Sequence, residues 1–82
     1  MGMVRRATLS GFDNQGNQIA LEVSSMTYDW FMEAKRRSHT TNSNLLCRIH
    51  RHRVNKLKPL TERDIIRYLR VHKVPQPREE MP

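Results

Sequence analysis

Residues 44–57 read NLLCRIHRHRVNKL, and whether they form a helix or a strand decides the fold of this chain. At helical spacing Leu46, Ile49, Val54 and Leu57 share one broad face, while Arg48, Arg51, His52, Asn55 and Lys56 share the other. The competing reading is a strand, because Leu45, Cys47 and Ile49 alternate and Arg53 intrudes on the apolar side of the helix. The helical pattern is the longer one. It predicts a helix from Asn44 to Leu57, capped by Asn42 or Ser43 and stopped before Pro59.

On the N-terminal side, SHTTNSN (38–44) has no apolar residue and several turn formers, so it is a loop. Before it, MTYDWFMEAKRR (26–37) places Met26, Trp30, Phe31 and Ala34 on one side of a helix. Ser24 or Ser25 caps it, Asp29 falls in its first turn, and Lys35, Arg36 and Arg37 fall in its last. Earlier still, VRRATLSGFDNQGNQIALEV (4–23) alternates Ala7 with Leu9, and then Ile19, Leu21 and Val23, around a connection FDNQGN rich in turn residues. This is a β-hairpin. A lone hairpin is barely stable in water, so its apolar face must lie on the helices.

On the C-terminal side, Lys58, Pro59 and Leu60 lead into a last helix. Thr61 is its N-cap with Asp64 three residues on, and Leu60 is placed to staple onto Ile65. Ile65, Ile66, Tyr68 and Leu69 face inward, and Arg63, Arg67 and Arg70 line the outer face up to the breaker Pro75. PQPREEMP (75–82) reads as a polar tail. The expected fold is α+β, a hairpin packed against about three helices in the order ββααα. One domain spans 1–74 and the tail follows. The short joint between the last two helices carries a proline and no glycine, too little to mark a helix-turn-helix reader.

Composition sets the class. The chain has 82 residues, with 37% hydrophobic and 6% aromatic, which allows one thin core. No apolar run approaches a membrane span, and MGMVRRATLS has no apolar stretch behind its arginines, so a cytoplasmic or otherwise intracellular protein is expected. The single Cys47 has no partner for an internal disulfide. Lys plus Arg number 15 against 8 Asp plus Glu, a net charge of +7, and no acidic residue occurs from Ala34 to Thr61. Most of the cations are arginine, whose planar fork matches phosphates, guanine edges and carboxylates alike.

For function, the expectations separate by chemistry. Cys47, His50, His52, His39 and His72 are the residues a zinc ion would use, but one cysteine makes no paired framework, so no metal or other cofactor is expected. His50 and His72 read instead as core histidines. The chain carries no glycine-rich phosphate loop and no nucleophile elbow, the Cys47/His50 pair has no third orienting group, and so short a chain has little volume for a pocket of ~300 Å³. An enzyme is not expected. The leading expectation is a small nucleic-acid-binding accessory or regulatory protein, with DNA placed ahead of RNA. Its contact residues are Lys35, Arg36, Arg37, Arg48, Arg51, His52, Asn55, Lys56, Lys58, Arg63, Arg67 and Arg70. The alternative is a protein-binding modulator or inhibitor that sets the same arginines on an acidic surface of a larger complex. A homodimer paired through the hairpin's free edge is compatible with either.

Overall fold

A computed structural model describes residues 5–77. In it β1 (Arg6–Phe12) and β2 (Gln18–Ser24) precede α1 (Ser25–Ser38), α2 (Asn42–Arg51) and α3 (Glu62–Val71). The order is the expected ββααα. Residues 1–4 of the expected domain and 78–82 of the expected tail lie outside the described residues.

The strands pair antiparallel from Arg6↔Ser24 to Phe12↔Gln18. The two-residue period of the pleat sends Leu9, Gly11 and Val23 to the covered face, with Ala7, Ile19 and Leu21 half-buried beside them. Phe12, assigned to the connection by its sequence, is the last residue of β1. The turn is held by Asp13, whose Oδ1 accepts the amides of Gln15 and Asn17 at 2.8 and 2.9 Å, and by Gly16 at φ 84°. The Asn17 amide above all holds the Asp13 carboxyl below its ordinary value.

Ser24 caps α1, its hydroxyl accepting the Thr27 amide at 3.2 Å. Trp30, Phe31 and Ala34 are buried as their spacing predicts, but Met26 is exposed and Thr27 takes the inward position. Because the helix begins at Ser25, Asp29 falls beyond its first turn, which carries no acid. Its C-terminus closes with the amides of His39 and Thr40 bonded back to Arg36 and Lys35, His39 standing in the left-handed region at φ 51°.

The helix expected over 44–57 is displaced. It starts earlier, with Thr41 rather than Asn42 or Ser43 as cap, and stops at Arg51. Val54 and Leu57, assigned to its apolar face, are 99% and 91% exposed. Four interactions favour the loop over further helix. Arg53 donates through Nη1 to the carbonyls of Lys58 and Pro59 at 2.5 and 2.7 Å, its Nε lies 3.2 Å from Asp64, and Asn55 Oδ1 accepts the Leu57 amide at 3.0 Å. The chain thus wraps around the guanidinium, and α2 and α3 are joined by a longer loop than Lys58, Pro59 and Leu60 alone.

α3 begins with a complete capping box between Thr61 and Asp64, and Leu60 and Ile65 at the staple positions are both buried. Ile65, Tyr68 and Leu69 enter the core and Ile66 packs at its margin. The chain then turns at Lys73, φ 56°, with the Val74 amide bonded to Leu69. The Trp30 indole donates to the Val74 carbonyl at 2.9 Å, fastening the end of α3 to α1. The core lies between one face of the hairpin and the three helices, with α2 packed mainly on β1 and α1 on α3. No helix among the described residues is long and apolar enough to cross a membrane.

Candidate nucleic-acid interface

Carboxylates decide where the cations are free. From Ala34 to Pro77 the only acidic residues are Glu62 and Asp64, and both turn inward to structural partners. Glu62 Oε2 accepts the Ser24 amide at 3.1 Å and the Thr27 hydroxyl at 2.7 Å, with Arg6 at 3.9 Å from its other oxygen. Burial pushes this carboxyl up, but the Ser24 and Thr27 bonds and the Arg6 charge outweigh it and hold it below its ordinary value. Asp64 is taken by Thr61 and Arg53. Among the described residues Arg48, Arg51, Lys56, Lys58, Arg63, Arg67, Arg70 and Lys73 therefore have no carboxylate within salt-bridge distance.

The α1 cations are a different case. Glu33 binds Arg36 and Arg37 together, at 2.7 Å each, and is held below its ordinary value by those bonds, Arg36 first. Arg36 and Arg37 are thus partly neutralised where they stand. Lys35 is half-buried.

Four of the unpaired cations, Arg48, Lys58, Arg67 and Lys73, line two clefts, together with the carboxylate-paired Arg37 and Arg53. The larger, about 450 Å³, is lined by His52, Arg53, Val54, Asn55, Lys58 and Arg67, with Tyr68, Val71 and His72, and by one carboxylate, Asp64, which Arg53 and Thr61 already engage. The smaller, about 310 Å³, takes Arg37 from α1, Arg48 from α2 and Lys73 from the turn after α3. The expectation that so short a chain leaves little pocket volume is corrected by the first of these. It arises because α2 ends early and the loop swings outward, leaving a gap above α3 that a continued helix would have filled.

Tyr68 and His72 line both clefts and separate them. Their rings stack with centroids 3.9 Å apart at 20°, and His72 Nδ1 donates to the Tyr68 carbonyl at 3.0 Å, which fixes the tautomer and the ring's place. His72 is exposed, a correction to its reading as a core histidine, because α3 ends there and Tyr68 covers only one face of its ring. His50 is buried as expected and bonds through Nδ1 to the Asn14 side chain, while Cys47 Sγ lies 3.0 and 3.1 Å from the carbonyl oxygens of Phe12 and Asp13. Both anchor the hairpin turn to α2, on the side away from His52 and His72. Among the described residues no three His, Cys, Asp or Glu side chains converge as metal ligands would.

Of the predicted set, the structure therefore brings Arg37 and Arg48 to the smaller cleft and His52, Asn55, Lys58 and Arg67 to the larger. It does not bring the whole set onto one helical face. His52, Asn55, Lys56 and Lys58 sit on a loop, Lys56 lines a separate recess beside Asp13, Gln15 and Asn17, and Arg51, Arg63 and Arg70 are exposed outside the clefts. Lys73, Tyr68 and His72 were missed. The signal for the last two was present, since i, i+4 spacing on a helix stacks side chains on one face.

No protein-family model, curated protein or solved structure matches this chain. Geometry and charge are what a functional reading rests on.

Proposed function

We propose that this protein binds nucleic acid through the α2–α3 side of the fold, as an accessory or regulatory protein rather than an enzyme. The observation that carries the reading is the set of cations on this side without carboxylate partners, Arg48, Arg51, Lys56, Lys58, Arg63, Arg67, Arg70 and Lys73 among the described residues. Each unpaired guanidinium or ammonium gains by replacing the counterions of a phosphate chain, a gain that falls as salt rises. Fluorescence anisotropy with labelled DNA and RNA across a salt series tests it. Wild-type protein binds, with log K falling linearly against log salt by about 0.9 per neutralised duplex phosphate. Arg48→Glu with Arg51→Glu loses that binding while far-UV circular dichroism is unchanged. No binding at low salt rejects the reading.

A second reading has an observation of its own. Val54, Leu57 and Val71 are 99%, 91% and 68% exposed and line clefts that also hold Lys56, Lys58 and Arg67, and exposed apolar side chains beside cations suit an acidic protein surface. In that case the protein is a modulator or inhibitor docked on a larger complex. Val54→Ser with Leu57→Ser then abolishes partner capture, whereas phosphate-driven binding is indifferent to it.

A further inference from the structure

We infer that the ligand of this surface is an unpaired nucleic-acid strand, one of whose bases stacks on the His72 ring while its neighbouring phosphates rest in the two flanking clefts. This rests on the nucleic-acid reading and adds to it the state of the strand and the residue that meets a base.

Three features of the Tyr68/His72 stack lead there. First, His72 is exposed although Tyr68 covers one face of its ring. His52 is 5.5 Å from the Tyr68 ring and 5.7 Å from the His72 ring, so it stands beside the stack, equidistant from both members, and does not lie over the far side of His72. Second, the platform is prearranged. Tyr68 is buried and supports one face, and the bond from Nδ1 to the Tyr68 carbonyl holds the imidazole in plane, so little conformational freedom is lost when a base lands on it. Third, the stack stands between cations. Arg48 and Lys73 lie in one cleft and Lys58 and Arg67 in the other, none with a carboxylate partner among the described residues.

An aromatic ring between two phosphate-binding groups is how single strands are held without sequence preference, since every base has a π face. A paired duplex does not satisfy this arrangement, because its bases are already stacked and their faces are not presented. The exposed aliphatic group of Val71 at the edge of the larger cleft gives the sugar and the base rim an apolar wall.

The test uses the full chain and anisotropy at one fixed salt concentration. The probes are a labelled oligothymidylate, the same oligomer with a central abasic residue, and a duplex of matching length. The oligothymidylate is expected to bind more tightly than both the others. His72→Ala is expected to weaken the oligothymidylate by roughly 5- to 150-fold, the range of one base stack lost, and to leave the duplex unchanged. His72→Phe keeps a ring in place and restores the affinity. An abasic oligomer that binds as well as the intact one overturns the base contact while leaving nucleic-acid binding intact, and it does so whether or not the alanine variant folds. Equal loss on strand and duplex also overturns it. Failure of every probe to bind at low salt overturns this inference and the functional reading together.

Discussion

Gly11 is the residue whose role the sequence hides most completely. In the alternation of β1 it occupies an inward position with no side chain to bury, and a Cβ built there falls 2.8 Å from Leu46 Cδ1 and 3.0 Å from the Ser43 Cα. The strand passes this close to α2 because nothing stands between them. Leu46 is fully buried and cannot retreat, so Gly11→Ala is expected to lower stability by about 1–3 kcal/mol, the usual cost of overfilling a packed site. Urea denaturation reads it as a lower midpoint at unchanged slope. The same contact explains Cys47 and His50. Their chemistry, which reads as metal-binding in one dimension, is used to clasp the hairpin turn, as Asn14 and the Phe12 and Asp13 carbonyls show.

At the scale of elements, the start of α3 was legible to the residue and the end of α2 was not. The Thr61/Asp64 box is a local interaction, complete within four residues, and local interactions are what a sequence displays. The end of α2 depends on Arg53, whose partners Lys58, Pro59 and Asp64 lie further along the chain. Two variants separate the expected helix from the observed loop. Arg53→Leu leaves two carbonyls and a carboxylate short of a donor and is expected to cost about 2 kcal/mol or more. Val54→Ser with Leu57→Ser, disastrous for a buried helical face, is expected to change stability by no more than about 0.5 kcal/mol per site. Thermal denaturation followed by circular dichroism distinguishes the two, and a large loss in the serine variant would restore the longer helix.

For the whole molecule, acid sensitivity follows from Glu62, which ties the start of α3 to the β2–α1 junction through Ser24 and Thr27. Its folded carboxyl lies below the ordinary value of 4.5, as does that of Glu33, and Asp13 lies below 3.8. A carboxyl lowered by folding contributes stability above its unfolded pKa and loses it as pH falls through the folded one. The melting temperature is therefore expected to hold steady from neutrality to about pH 5 and to decline below it. Glu62→Gln is expected to melt lower at neutral pH and to show a shallower acid decline. An identical decline in wild type and variant would assign the acid sensitivity elsewhere. The same inward commitment of Glu62 and Asp64 leaves the α2–α3 surface positive.

Hydrophobic period, turn chemistry and caps by themselves determined the ββααα order, the hairpin, most of the inward faces of α1 and α3 and the excess of positive charge. These are properties of neighbours along the chain, within reach of one turn of helix or one pleat of strand. Tertiary structure alone decided which cations keep a carboxylate, where α2 ends, and that Tyr68 and His72 stand between two basic clefts. Those outcomes depend on which distant groups arrive at the same place. Arg53 meets Asp64 and Glu62 meets Thr27 only once the helices have packed.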